Sequence, residues 1–203
     1  MSWGDRAAPG LLIVLSGPSG VGKDAVMAKL RERGFPLRFG VTATTRPPRP
    51  GEVHGKDYYF VSEAEFDRMI AEDELLEWAH VHCHRYGVPR VSVRQHVESG
   101  VDVLVRVDVQ GAATIRSKVP EAVLVFLAPP SMDSLIRRLT RRGTESAEEQ
   151  ATRIANAYAE MARLPEFDYV VVNPDDGLDE AVEKVMAIVV AERCRVNRRR
   201  AVV

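Results

Sequence analysis

The segment Leu11 to Val26, LLIVLSGPSGVGKDAV, tightly constrains how this chain can fold. An apolar run is followed by a glycine-rich loop, Gly17 to Lys23, and then by apolar residues at helical spacing. This order predicts a buried parallel strand, a loop whose backbone N–H groups point at an anion, and a helix whose positive end strengthens the attraction. The segment therefore predicts an α/β fold with a phosphate-binding loop.

One position of the loop departs from the usual pattern. The motif Gly-x-x-x-x-Gly-Lys is normally followed by Ser or Thr, whose hydroxyl holds Mg²⁺, and this chain has Asp24 there. An uncompensated carboxylate about 4 Å from a phosphate charge costs roughly 4 kcal/mol at an effective dielectric near 20. A basic partner, or Mg²⁺ bound directly by the carboxylate, would remove most of that cost.

The strand pattern recurs three times further along the chain, in VDVLVRVDV (101–109), AVLVFLAPP (122–130) and DYVVVN (168–173). Helical patterns separate these segments, and a last one, LDEAVEKVMAIVVAERCR, follows them. Strands that alternate with helices predict a parallel sheet covered by helices on both faces. We therefore expect one α/β core.

Two stretches interrupt this alternation. Residues 42–93 are rich in Thr, Pro and Gly at first, and then carry a capped helix and short strand-like pieces, which predicts an inserted mixed α+β lobe. Residues 137–164 are rich in arginine and helical in pattern, which predicts a lid. We predict a single domain whose core comprises residues 1–41, 94–136 and 165–203.

Composition narrows the classes of partner. The net charge of −1 argues against a general nucleic-acid binder, and no apolar run is long enough for a membrane span. The arginines of the final ERCRVNRRRAVV are predicted to form a solvated turn near the negative end of a helix. Cys83 and Cys194 lack metal-type spacing and predict free thiols in a reducing compartment. We expect a cytoplasmic protein, monomer or homodimer, that binds small molecules.

A second phosphate-binding element is predicted in TTRPPRPGEVHGKDYYF, residues 44–60. Arg46 and Arg49 lie three positions apart on a segment stiffened by prolines, and guanidinium groups suit the bidentate capture of a phosphate. Tyr58 adds a hydroxyl donor. Together with the two excursions from the core, this indicates that two ligands are brought together by closure.

Over nearly its full length the chain resembles the guanylate kinase family. The matching segments are SGPSGVGK, TTRPPRPGEVHGKDYYF, ELLEWAHV followed by YG, VDVQGA, FLAPPS, RRGTES and VVN. The second segment is specific to nucleoside-monophosphate kinases that take GMP. The resemblance implies a P-loop kinase fold and phosphoryl transfer from ATP to GMP or dGMP, with Mg²⁺ as cofactor.

On the acceptor side, the resemblance implies that Glu77 accepts hydrogen bonds from N1 and N2 of guanine, and that Thr42 stands where a serine usually faces O6. Adenine offers no such pair of donors, and this difference favours the binding of guanine over adenine by about 1–3 kcal/mol. The implied GMP-binding residues are Thr42, Arg46, Arg49, Glu52, Tyr58, Glu77, Tyr86 and Asp108.

On the donor side, the resemblance implies that the glycine loop and arginines of the lid surround the ATP phosphates. The implied ATP-binding residues are Gly17, Pro18, Ser19, Gly20, Val21, Gly22, Lys23, Asp24 and Arg138. The implied catalytic residues are Lys23, Arg46, Arg142 and Arg153. Asp24 and Asp108 are the candidate Mg²⁺ ligands.

A second departure from the family lies in RVDVQG, where the family typically has Asp-x-Asp before Gln-Gly. Arg106 replaces the first acid and Asp108 keeps the second. Taken as one strand, these residues share a face about 7 Å apart, beside the glycine loop. Because an acid is gained at position 24 and lost at position 106, we infer a charge exchange, in which either Arg106 partners Asp24 or Asp24 binds Mg²⁺ directly.

Two alternative functions stay open from the sequence. Ribose 1,5-bisphosphate phosphokinases typically carry GPSG-x-GKD, so Asp24 taken alone favours them. A non-catalytic guanylate-kinase-like module that binds partner peptides is the other alternative, and the intact loop glycines, Lys23 and the lid arginines argue against it. The GMP-lobe signature and Glu77 favour guanylate kinase.

Overall fold

The computed structural model describes residues 9–81, 83–140, 147–197 and 199–203. The strands in these ranges are β1 (Leu12–Ser16), β2 (Arg38–Phe39), β3 (Thr42–Thr44), β4 (Tyr58–Phe60), β5 (Leu75–Val81), β6 (His84–Pro89), β7 (Val103–Arg106), β8 (Val123–Ala128) and β9 (Tyr169–Val172). The helices are α1 (Lys23–Glu32), α2 (Glu63–Ala71), α3 (Arg90–Glu98), α4 (Val109–Lys118), α5 (Met132–Thr140), α6 (Ala147–Ala162) and α7 (Leu178–Arg193), with a short 3₁₀ turn at Leu164–Glu166. None of these helices has both the length and the apolar character needed to cross a membrane.

The main sheet is parallel, with strand order β2-β7-β1-β8-β9. All side chains of the central strand β1 are buried. Ile13 and Leu15 pack into a core with α1 and α7, and Leu12 and Val14 pack into another with α3 and α4. A strand buried on both faces is expected in a parallel sheet between two helical layers, so the predicted α/β fold is confirmed.

A smaller mixed sheet lies within the segment predicted to form an inserted lobe. Its order is β4-β3-β6-β5, in which β3 and β4 are parallel and the other pairs antiparallel. Helix α2 covers this sheet with Phe66 and Met69, and the Ser62 hydroxyl caps that helix by accepting from the Glu65 N–H at 3.1 Å. This second sheet carries four of the eight residues implied in GMP binding, which are Thr42, Tyr58, Glu77 and Tyr86.

One predicted strand is shorter than its sequence pattern. The alternation VDVLVRVDV predicts a strand over residues 101–109, but β7 ends at Arg106. Asp108 is instead the N-cap of α4, and its carboxylate accepts from the Gly111 N–H at 2.7 Å. The prediction that Arg106 and Asp108 share a strand face is therefore wrong, because capping the helix stabilises a different backbone for Asp108.

Two of the C-terminal arginines, Arg193 and Arg199, do not lie in the solvated turn that was predicted, and Arg198 lies outside the described residues. Arg193 Nε donates to Asp102 at 2.6 Å, and Arg199 pairs with Asp168 at 3.2 Å and with Glu192 at 3.4 Å. Glu192 is fully buried. Because buried carboxylates need charged or hydrogen-bonding partners, these arginines bind back onto the core.

Candidate active site

The loop between β1 and α1 depends on glycines that approach neighbouring backbone closely. At Gly17, φ is +135°, and a Cβ there would lie 2.2 Å from the Leu127 carbonyl oxygen. At Gly22, φ is +102°, and a Cβ would lie 2.5 Å from Asn173 Nδ2. The loop therefore packs directly against the ends of β8 and β9. A side chain at position 17 or 22 would push the loop away from them.

Polar side chains fasten the loop to the end of β9. Asn173 Nδ2 donates to the Val21 carbonyl at 2.8 Å, and Arg138 Nη1 donates to the same oxygen at 3.2 Å. Arg138 also donates to the Asn173 carbonyl at 3.0 Å and to Asp175 Oδ1 at 2.8 Å. Asn173 and Asp175 were not predicted as site residues, although the VVN segment that contains Asn173 was part of the family resemblance.

Lys23, the first residue of α1, folds back over the loop. Its ammonium donates to the carbonyls of Gly17 at 2.6 Å and Pro18 at 3.0 Å. Burial lowers the pKa of Lys23 from 10.5 to about 8, while the charge of Glu160 raises that pKa and Arg106 lowers it. An arriving phosphate would favour the protonated form of the lysine.

A cavity of about 820 Å³ extends from the glycine loop to the smaller sheet. It brings together candidate residues from the loop, both sheets, α5 and α6. The predicted site residues that line it are Ser19, Gly20, Gly22, Lys23, Asp24, Thr42, Arg49, Tyr58, Glu77, Tyr86, Asp108, Arg138 and Arg153. Residues far apart in the sequence therefore form one concave surface, as a two-substrate site requires.

Three predicted loop residues, Gly17, Pro18 and Val21, are absent from this lining. Gly17 and Pro18 contribute the carbonyls that hold Lys23. Val21 is buried in the main core, and its carbonyl accepts the bonds from Arg138 and Asn173. These three residues therefore support the conformation of the loop without lining the cavity. Arg142 was also predicted and lies outside the described residues.

Arg46 and Glu52 bind each other. Arg46 Nη2 donates to both Glu52 carboxylate oxygens, at 2.7 and 2.9 Å, and Glu52 also accepts from the Arg49 N–H at 2.7 Å. Arg46 is not among the residues that line the larger cavity, whereas Glu52 lines an adjoining cavity of about 340 Å³ with Thr42 and Tyr58. Glu52 therefore orients Arg46 beside the site.

Glu77 places a carboxylate in the wall of the larger cavity. It lies on β5, is only 6% exposed, and receives no hydrogen bond from the described residues. Burial raises the pKa of Glu77 to about 8, with the nearby Asp108 charge adding to the rise and Lys118 opposing it. A Cβ at Gly111 would lie 2.9 Å from Glu77 Oε2, so that glycine leaves room for the carboxylate. This buried acceptor is suited to a ligand with N–H donors.

Of the two partners considered for Asp24, the structure shows Arg106. Arg106 Nη1 donates to Asp24 Oδ1. Arg106 ends β7 opposite Leu15 of β1, and Asp24 stands in the first turn of α1, so the parallel register brings the two charges together. Both residues line both cavities. The carboxylate in the glycine loop is therefore partnered by a base.

Glu160 is a further site residue that was not predicted. Glu160 lines the larger cavity, and its Oε2 accepts from the Ser19 N–H at 3.0 Å. A signal was present in the sequence, because Glu160 lies seven residues after Arg153 and two helical turns place both on one face of α6. The lid helix thus presents an acid as well as a base to the loop.

A glycine loop with a lysine at the end of a parallel strand, facing arginines across a shared cavity, defines a P-loop phosphotransferase. The family model for guanylate kinase matches residues 10–192. A guanylate kinase of Caldanaerobacter subterraneus subsp. tengcongensis is 50% identical over 189 residues, which cover 93% of this chain and 91% of that protein. One from Thermobifida fusca is 49% identical over 183 residues, which cover 90% of this chain and 92% of that protein.

Structural comparison agrees with the sequence matches. The crystal structure of guanylate kinase from Anaplasma phagocytophilum is similar with a TM-score of 0.74 and 34% identity, covering 96% of this chain and 91% of that one. The chain belongs to the guanylate kinase family, and it is a kinase.

The ion pair between Asp24 and Arg106 leads to a first prediction. Removal of either charge leaves the other uncompensated beside the phosphates and Lys23, so Asp24→Ser and Arg106→Asp should each lower kcat/KM for ATP. The double variant, which restores the residues usual in the family, should recover more activity than either single variant. A double-mutant cycle on kcat/KM for ATP should give a coupling free energy of about 0.5–3 kcal/mol.

Arg31→Ala is a suitable control, because Arg31 lines only the smaller cavity and its guanidinium stacks on Phe39. The effects of Arg31→Ala and Asp24→Ser on kcat/KM for ATP should add, which gives a coupling free energy near zero. A coupling near zero between Asp24 and Arg106 would show that the two charges act independently.

Proposed function

We propose that this protein catalyses transfer of the γ-phosphoryl group from ATP to GMP or dGMP, a step of purine nucleotide metabolism. The observation that carries the choice of acceptor is Glu77, a buried carboxylate in the cavity wall that receives no hydrogen bond from the part of the chain that the structure describes. Guanine offers adjacent N1–H and N2–H donors, and adenine offers none in that arrangement. Membership of the guanylate kinase family supports the same assignment.

On the donor side, the loop amides and Lys23 hold the ATP phosphates. The lysine would give up its two carbonyl contacts for the phosphates and stay protonated beside them. Arg138 keeps the loop seated, and Arg153 reaches the transferring group from α6. Phosphoryl transfer depends mainly on such positioning and charge stabilisation.

On the acceptor side, Arg49, Tyr58 and Tyr86 hold the GMP phosphate, with Arg46 oriented by Glu52 beside them. The rings of Tyr58 and Tyr86 stand edge to face, 6.1 Å apart, which fixes where their hydroxyls point. Glu77 and Thr42 face the base, and Asp108 stands next to Glu77. The acceptor is thereby held at both ends.

The residues present fit a Mg²⁺ ion that is carried in with the nucleotide. In the described ranges, no three His, Cys, Asp or Glu side chains are grouped as a protein-only metal site would need. Mg²⁺ commonly uses one or two carboxylates together with substrate phosphates, and Asp24 and Asp108 both line the cavity. Asp24 is 81% exposed and Arg106 engages its Oδ1, which leaves Oδ2 for a ligand. Mg²⁺ bound there would neutralise charge that develops on the phosphates.

The two alternative functions receive less support. Ribose 1,5-bisphosphate has no base, so it would leave the buried Glu77 carboxylate without a donor. A non-catalytic module has no use for a lysine held over a glycine loop or for arginines in the cavity. Cytoplasmic location and the choice between monomer and homodimer stay predictions from the sequence.

The proposed reaction is tested by acceptor choice. With ATP and Mg²⁺, we expect ADP release with GMP and dGMP to exceed that with AMP, CMP or UMP by at least roughly 5- to 150-fold, the equivalent of about 1–3 kcal/mol for one bidentate contact. A coupled ADP-release assay measures this. Turnover of ribose 1,5-bisphosphate without turnover of GMP would favour the first alternative, and ADP release with none of these acceptors would favour the binding module.

Glu77 leads to a prediction about pH. Guanine donors favour the ionised carboxylate, whereas the empty site holds its pKa near 8. GMP affinity should therefore rise with pH, by up to about tenfold per unit below 8, and level off above it. Calorimetric titration with GMP from pH 6.5 to 8.5 measures the effect.

The matched control is Glu77→Gln, which keeps the shape but cannot ionise. This variant should bind GMP more weakly and lose most of the pH dependence. Any slope that remains reports ionisation of the GMP phosphate, whose second pKa is about 6. An equal slope in both proteins would show that Glu77 does not face the base.

Arg153 should act on the transition state more than on GMP binding. Arg153→Ala should lower kcat by about 10³-fold and leave the KM for GMP nearly unchanged, because this side chain meets the transferring phosphoryl group. Arg137→Ala is the control, since Arg137 is 66% exposed on neighbouring α5 and pairs with Asp175 at 3.3 Å. A raised KM for GMP with kcat retained would assign Arg153 to the acceptor instead.

A further inference from the structure

Glu160 brings a carboxylate against the glycine loop from the opposite wall of the cavity. Its Oε2 accepts from the Ser19 N–H at 3.0 Å, across 141 positions of sequence. Backbone N–H groups of such a loop are the donors that hold phosphate oxygens. A carboxylate from α6 therefore occupies a donor that a nucleotide phosphate would use.

The charge of Glu160 also acts on Lys23. Of the charged groups that favour protonated Lys23, Glu160 has the largest effect, ahead of Asp24 and Asp108. It opposes the burial that lowers the pKa of Lys23. The Glu160 carboxylate therefore acts as a counter-ion for the loop as well as an acceptor for Ser19.

The position of Glu160 on α6 connects it to the lid. Arg153 lies two turns earlier on the same helix, and both side chains line the cavity. A phosphate on the Ser19 donor would repel the Glu160 carboxylate and attract the Arg153 guanidinium. Helix α6 therefore contacts the loop through Glu160, and it also carries Arg153, which can contact a phosphate bound at the loop.

We propose that Glu160 is a positioning residue of the donor site. Its carboxylate accepts from a loop N–H that a donor phosphate would use, holds α6 close to the loop, and is displaced when the donor phosphates bind. This inference rests on the proposed binding of ATP and ADP at the glycine loop. Glu160 thereby takes part in the change that the donor site undergoes when a nucleotide binds or leaves.

Binding of ADP without Mg²⁺ tests this inference. Glu160→Gln keeps the side-chain shape and removes the competing charge, so at pH 6.5 it should bind ADP on the order of tenfold more tightly, the equivalent of about 1.4 kcal/mol. Glu148→Gln is the matched control, because Glu148 is exposed on the same helix and lies outside the cavity lining. Its ADP affinity should equal that of the unaltered protein, as isothermal titration calorimetry can show.

Glu160→Gln that binds ADP equally or less tightly at pH 6.5 overturns the inference. Failure of the unaltered protein to bind ADP would overturn the proposed function, and this inference with it.

A measurement on the unaltered protein covers the case in which the variant does not fold. In a ¹³C spectrum, the side-chain carboxyl resonance of Glu160 should move when ADP saturates the loop, since the bond from the Ser19 N–H is lost. Glu160→Asp, with its shorter side chain, should bind ADP with an affinity between those of Glu160→Gln and the unaltered protein. A Glu160 resonance that stays in place with ADP bound overturns the inference.

Discussion

The parallel register of β7, β1 and β8 is the constraint on which the site depends. It aligns Leu15 with Arg106 and with Val125, so the segments that follow these strands emerge at one edge of the sheet. The glycine loop, the Asp108 cap and Asn173 after β9 all lie there. The groups that hold phosphate, base and loop are thus positioned by backbone hydrogen bonds before any ligand is present, as is usual at the carboxyl ends of parallel strands.

The sequence predicted the parts of the fold that local patterns encode. The apolar run of β1, the glycine loop and α1 were placed correctly because burial on two faces and close backbone approach each demand particular residue types. A charge exchange between positions 24 and 106 was inferred because the two departures from the family have opposite charge, and the structure pairs Asp24 with Arg106. The end of β7 was predicted wrongly, since strand alternation continues through Asp108 and carries no information about helix capping.

The contacts that could not be predicted are of two kinds. In one, a side chain contacts a residue far away in the sequence; in the other, it contacts a residue that was expected to bind the ligand. Glu160 contacts a backbone N–H, which every non-proline residue possesses, so nothing in the sequence singles out Ser19. Arg46 and Glu52 were both expected to contact GMP, but the guanidinium and the carboxylate are complementary and six residues apart, and they satisfy each other. Arg193 and Arg199 bind Asp102, Asp168 and Glu192, and the burial of Asp102 and Glu192 is defined only by the fold.

The ion pair between Asp24 and Arg106 also constrains how this chain could have diverged from a protein with the usual residues. Starting from the hydroxyl and the acid that are usual in the family, a first change at position 24 would place two carboxylates together, and a first change at position 106 would leave an arginine facing a hydroxyl. Descendants of a chain with both changes inherit them together. In an alignment, positions 24 and 106 should then covary, acid with base and hydroxyl with acid, although they stand far apart in the chain and on different elements.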